Sequence, residues 1–131
     1  MKILHKFYIG LVSAWNMFCA KVSAHGKIQA TWVNSIRGDF KTEIIGNGSI
    51  TIGHFLMSRG PLYLKSVNDA KLTIGDDVFF YHNCSITCAE KVTITKGVHI
   101  GSGAVIGANA VVVNDIEAHA IVAGVPAKRI K

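Results

Sequence analysis

VTITKGVHIGSGAVIGANAVV, residues 92–112, decides the fold. In it Ile94, Ile100, Ile106 and Val112 stand six residues apart. Two positions before each lies another small or aliphatic residue: Val92, Val98, Ala104 and Ala110. Residues i and i−2 share one face of a strand, so each pair points inward. The residue between them, Thr93, His99, Val105 or Val111, faces out. An amphipathic helix would repeat at 3.6 residues, and a plain strand would show no corner every six, so the period fits neither.

The pattern extends toward the N-terminus. Ile74, Phe80 and Ile86 are again six apart, preceded by Leu72, Val78 and Cys84. The later series lags this one by two residues, which requires a two-residue insertion near Ala89-Glu90-Lys91. Ile50-Thr51-Ile52-Gly53 is the same unit again, offset by a larger insertion through Pro61. Glycine follows the inward position at 53, 75, 101 and 107, where a corner can call for positive φ. Each hexad is then one short strand and one corner. Three hexads make a triangular coil of about 18 residues, and coils stack at about 4.8 Å. The expected fold is mainly β: a single-stranded parallel β-helix of hexapeptide repeats with a short N-terminal α-helix.

Composition agrees. The 131 residues suit one domain, half are hydrophobic, and there are 13 Gly against 2 Pro. The net charge of +6 includes a basic C-terminus at Lys128, Arg129 and Lys131, able to meet a phosphate-bearing ligand or to stand as a solvated tail. Aromatics do not interleave with the basic residues, so no nucleic-acid partner is expected. Cys19, Cys84 and Cys88 are odd in number and form no C-x-x-C pair, which points to reduced thiols rather than a disulfide framework or a zinc site. Gly46-Asn47-Gly48 reads as a turn, because no P-loop Lys-Ser/Thr follows it.

Residues 3–23 read as an amphipathic helix, since Tyr8, Leu11, Trp15, Phe18 and Val22 are spaced to line one face. A signal peptide and a membrane-surface anchor stay open for the same segment. The organisation expected over residues 1–131 is a helix at 3–23, a β-helix over about 35–113 and a C-terminal cap at 114–131. The helix would cap one end of the stack and the C-terminal segment the other. Outward Phe79, Val105 and Val111 suggest self-association.

Two stretches resemble the hexapeptide-repeat acyltransferases, and within them the sugar O-acetyltransferase group of the galactoside and maltose acetyltransferase kind. They are LTIGDDVFFYHNCSITCAEKVTI, residues 72–94, and IGSGAVIGANAVVVNDIEAHAIVAGVPAKRIK, residues 100–131, with its terminal A-G-V-P-A-K element. The resemblance covers residues 45–131 well and residues 1–44 loosely. It implies left-handed coils, a homotrimer, and acetyl-CoA as donor in a groove between neighbouring β-helices. It also implies a sugar or polysaccharide acceptor and no metal. The reduced thiols suit a cytoplasmic location, peripheral at the membrane if residues 3–23 act as the anchor. Carried over residue by residue, Ala108 falls where a backbone group meets the CoA arm. Val113 and Asn114 depart from the family's Thr-Lys beside CoA, so contact there uses the backbone. Lys128 and Lys131 stand where basic side chains meet CoA phosphates. Asn83 matches an asparagine that contacts the acceptor sugar, and it equally suits a corner residue tolerating the left-handed conformation.

The family's general base, a histidine in a D-H-x-H segment, has no counterpart here. Val92-Thr93-Ile94 runs directly into Thr95-Lys96-Gly97-Val98, as though about three coils were absent. Of the six histidines, His82 is the catalytic candidate, because it precedes Asn83 at a corner open to a groove. Two functions therefore follow: acetyl-CoA-dependent O-acetyl transfer to a sugar hydroxyl, or a catalytically silent, shortened β-helix serving as a binding or structural module.

Overall fold

The computed structural model describes residues 2–23, 28–30, 34–37, 39–107 and 109–130. A helix, α1 (Lys2–Ser23), comes first and packs on the opening strands that follow it. The strands then come in threes. The first coil is β1 (Ile28–Ala30), β2 (Ser35–Ile36) and β3 (Phe40–Ile44). The second is β4 (Ser49–Ile52), β5 (Met57–Ser58) and β6 (Leu62–Ser66), and the third is β7 (Lys71–Ile74), β8 (Phe79–Phe80) and β9 (Cys84–Cys88). The fourth is β10 (Lys91–Ile94), β11 (His99–Ile100) and β12 (Val105–Ile106). β13 (Val111–Val112), β14 (Ile121–Ala123) and β15 (Lys128–Arg129) close the chain.

In the first four coils strands of equal rank stack into three sheets, and the closing strands extend two of these: β1-β4-β7-β10-β13, β2-β5-β8-β11, and β3-β6-β9-β12-β14-β15. They are called faces A, B and C below. Every pairing is parallel except β14 with β15. The hexad reading is thereby realised as a three-sided β-solenoid. Ile94 stacks on Ile74 and Val112, Ile100 on Phe80, and Ile106 on Ile86 and Val122. All of these face one continuous buried core. Parallel pairing runs past the last hexad. Ile116 bridges Ile100, and β14 lies on β12.

The coils are not uniform 18-residue turns. On face A, Ile28 pairs with Ile50 and Ile50 with Leu72, a step of 22 residues; Leu72 pairs with Val92, a step of 20; Thr93 pairs with Val111, a step of 18. The extra residues of the second coil do not lie at Pro61. Ile52, Ser58 and Leu64 keep the spacing of six and are all buried, with Ser58 at 2% exposure. The chain is longer at the next corner, Val67-Asn68-Asp69-Ala70, where Asn68 and Asp69 adopt φ of 52° and 56°. The hexad was hard to see because a serine occupies its inward position. Ser58 Oγ accepts a hydrogen bond from Gly60 N–H at 3.0 Å, which makes this buried hydroxyl tolerable.

The corner glycines also differ from expectation. Gly53, Gly75, Gly101 and Gly107 are not among the residues with positive φ. The first three are needed for space. A Cβ on Gly53 would come within 2.8 Å of Gly75 C, and one on Gly75 within 2.8 Å of Lys96 N. On Gly101 it would collide with Ala118 N and Glu117 C. The next coil's backbone therefore excludes a side chain there.

α1 forms where its sequence period indicated, but with the opposite side inward. Tyr8, Leu11, Trp15 and Phe18 are exposed, whereas Ser13 and Met17 are buried at 1%. Ser13 Oγ donates to Asn34 O at 2.7 Å and accepts from Ile36 N–H at 3.0 Å, tying the helix to β2. The side chain of Val22, the last residue of the expected face, lies outside the described residues.

Candidate functional site

The corners joining face B to face C carry the catalytic candidate. Three of them stack: Tyr81-His82-Asn83, Gly101-Ser102-Gly103 and Glu117-Ala118-His119. Gly103 N–H donates to His82 O and His119 N–H to Ser102 O, each at 2.8 Å. The backbone N–H of His82 donates to Ser102 Oγ at 3.3 Å. The imidazole of His119 lies against Gly103, where its Nδ1 would stand 2.6 Å from an added Cβ.

The His82 ring is oriented by backbone. Its Nδ1 lies 3.2 Å from Gly60 O. A carbonyl can only accept, so Nδ1 carries the proton in this contact, and in the neutral ring the lone pair falls on Nε2. The His82 side chain is exposed, so this nitrogen is open to a ligand. Among the described residues, no carboxylate hydrogen-bonds the ring of His54, His82, His99 or His119. Asn83 sits next in the chain with φ of 61°, the corner conformation foreseen for it.

The residues expected at the donor site are elsewhere. Val113 and Asn114 follow β13 on the corner from face A to face B. There, with Ala127 and Arg129, they line a cavity of about 230 Å³ at the C-terminal end of the stack. Arg129 is held at 3.1 Å from Glu117. Lys128 is exposed on β15, antiparallel to β14. Ala108 and Lys131 lie outside the described residues. Within one chain, His82 with Asn83 and Val113 with Asn114 therefore occupy two different edges of the prism.

Two further features are not assembled by the sequence, although Phe79 and His99 read as outward residues. On face B, Arg59 stacks over Phe79 at 5.8 Å and over Tyr81 at 5.9 Å, with Phe79 and Tyr81 centroids 4.6 Å apart and His99 5.8 Å from Phe79. Only coil pairing unites these residues. Met57 and His99 flank Phe79 in register. The second feature is a groove of about 570 Å³ between Cys19 of α1 and the outer side of face C, lined by Lys41, Glu43, Tyr63, Lys65, Ser85 and Thr87. Its residues lie far apart in sequence. Among the described residues, no cluster of three or more His, Cys, Asp or Glu could hold a metal ion.

No family model matches the chain. Similar proteins include a chloramphenicol acetyltransferase of Escherichia coli, 40% identical over 77 residues, which are 59% of this chain and 35% of that protein. A putative lipopolysaccharide biosynthesis O-acetyl transferase, WbbJ, of Escherichia coli (strain K12) is 37% identical over 71 residues, 54% of this chain and 32% of that protein. The chain thus spans about a third of the length of these curated relatives. A mutant GDP-perosamine N-acetyl transferase from Caulobacter crescentus, solved in complex with CoA and GDP-perosamine, aligns with a TM-score of 0.36. The identity is 16%, over 80% of this chain and 54% of that one. The relatives are acetyltransferases, as the resemblance of residues 72–94 and 100–131 implied.

Proposed function

We propose that this solenoid transfers an acetyl group from acetyl-CoA to a hydroxyl of a sugar or polysaccharide. The observation that carries this reading is the 77-residue, 40% identical match to an acetyltransferase. The chemistry needs a base for the acceptor hydroxyl and donors for the developing oxyanion. His82 supplies the base: Nε2 takes the hydroxyl proton as that oxygen attacks the thioester carbonyl. The C–S bond then breaks, and the imidazolium returns its proton to the departing thiolate. Gly60 O replaces the carboxylate that more often steers such a ring. Asn83, beside it, contacts the sugar.

The donor's phosphates meet Lys128 and Lys131, while backbone groups at Ala108, Val113 and Asn114 flank its arm. Because Val113 and Asn114 occupy a different edge from His82, the proposed site is completed by a neighbour in a homotrimer. The Arg59, Phe79, Tyr81 and His99 ladder, with Met57 at 41% exposure beside it, has the composition of an interface hot spot and supports that assembly.

A second reading is a catalytically silent module. It is favoured by histidine rings with no carboxylate partner among the described residues, and by the corner between β10 and β11, where Thr95-Lys96-Gly97-Val98 stands with no D-H-x-H segment. Radiolabelled acetyl-CoA and a panel of sugar acceptors separate the two. The proposal expects transfer, reduced about 100-fold or more in His82→Ala, and donor binding weakened in Lys128→Glu. Donor binding without transfer to any acceptor would establish the silent module, and transfer unchanged in His82→Ala would remove that residue from the chemistry.

A further inference from the structure

α1 turns its apolar stripe away from the protein. Leu4, Tyr8, Leu11, Trp15 and Phe18 recur at alternating steps of four and three, which sets them in one line along the helix. Their exposures are 71%, 64%, 56%, 65% and 48%. Among the described side chains, the side that holds the helix to the solenoid is marked by the hydroxyl of Ser13 and by Met17. A helix that only closed the end of the stack would turn its large residues inward. Here they form a contiguous outward patch of the kind that marks an interaction surface.

Charge identifies the occupant. α1 contains Lys2, Lys6 and Lys21 and no Asp or Glu. Two such helices side by side would bring lysines together with no counter-charge, and no opposite-charge pairs would set their register. An anionic surface suits this helix better. The groove along the Cys19 edge of the stripe adds Lys41 and Lys65 from face C. Lys41 lies 5.8 Å over the Tyr63 ring, and Lys65 stands 3.7 Å from Glu43. Trp and Tyr within the stripe suit the boundary between headgroups and acyl chains. No helix among the described residues is long and apolar enough to cross a membrane, so a helix of this kind lies along the surface.

We propose that α1 is an interfacial membrane-binding helix: its Leu4–Phe18 stripe enters the headgroup boundary of an anionic phospholipid bilayer, with Lys41 and Lys65 beside it at the phosphates. This docking is independent of catalysis and would hold for a silent module as well.

The test uses the full chain with unilamellar vesicles of phosphatidylcholine, or of equimolar phosphatidylcholine and phosphatidylglycerol. The chain floats with the anionic vesicles, partitioning at least about tenfold more strongly than to phosphatidylcholine alone, and added salt weakens the binding. The double variant Leu11→Glu/Trp15→Ser loses about tenfold or more of the partition, with its circular dichroism and thermal midpoint unchanged because both side chains are exposed. Lys41→Gln/Lys65→Gln weakens partition while leaving the helix untouched. Flotation with neither vesicle overturns the proposal, as does partition indifferent to both double variants. It is equally overturned if Leu11→Glu dissociates an oligomer of a chain that binds no vesicle, which would identify a second copy as the occupant.

Discussion

Gly101 and Gly97 look alike in the sequence but do different work. At Gly101 the backbone of Glu117 and Ala118 fills the place of a side chain, whereas at Gly97 nothing lies within 4 Å and φ is +77°. Alanine should destabilise both, by about 1–3 kcal/mol through crowding at Gly101 and by about 1–2 kcal/mol through conformation at Gly97. Asparagine separates the causes. It tolerates the left-handed region, so Gly97→Asn should recover part of the loss, while Gly101→Asn should be worse than alanine. Urea denaturation measures all four variants, and equal recovery at the two sites would refute the distinction. The sequence located the corner at Gly101 but misassigned its cause, because crowding by the next coil depends on which residue stacks above. That information lies 16 to 22 residues away along the chain. Ser58 shows the same limit in reverse. Its neighbours Ile52 and Leu64 announce the hexad, but a polar inward residue breaks the pattern until Gly60 N–H is seen to satisfy it.

At the scale of elements, β9 and α1 mark the two ends of what was legible. In β9 the inward positions Cys84, Ile86 and Cys88 are each 0–1% exposed, as a period of two demands. Burial pushes both thiols above their ordinary range, against weaker opposing backbone hydrogen bonds. The folded protein therefore holds its thiol protons at a pH where the unfolded chain has released them. The stabilisation is full below the unfolded value of about 9 and is lost as pH rises through the higher folded value. Urea midpoints should fall as pH rises from about 8 past about 9. They should fall less in Cys84→Ala/Cys88→Ala, although that variant starts lower from lost packing. An identical alkaline loss in both proteins would show that other groups cause it. α1 was legible as a helix from its spacing, but not in its orientation. Periodicity finds an apolar side without saying which partner meets it, and here Ser13, a hydroxyl bonded to two backbone groups, docks the helix instead. The candidate site was legible only in parts for a related reason: His82, Asn83, Val113 and Asn114 are corner residues, and which edge each corner occupies depends on every coil length before it.

For the molecule as a whole, the coil is the unit that can be gained or lost. Steps of 22, 20 and 18 residues coexist in one stack, so length varies freely at the corners while the inward register holds. Only even steps appear, because an odd step would turn every later inward side chain out. This arithmetic also underlies the expectation that whole coils are missing between Ile94 and Val98. It leads to a prediction for the full chain. A second copy of residues 50–71 placed after Lys71 adds one turn of 22 residues and presents Leu72 with the partner it has now. The enlarged protein should keep its β-rich circular dichroism and unfold in one transition. Its urea m-value should rise by about one sixth, in proportion to the surface buried by the added turn. The same insertion shortened by one residue, a copy of 50–70, puts the sequence beyond it out of phase. It should either fail to fold cooperatively or loop out the insert and keep the original m-value. Equal behaviour of the even and odd insertions would mean that face-to-face stacking of inward residues does not control this solenoid.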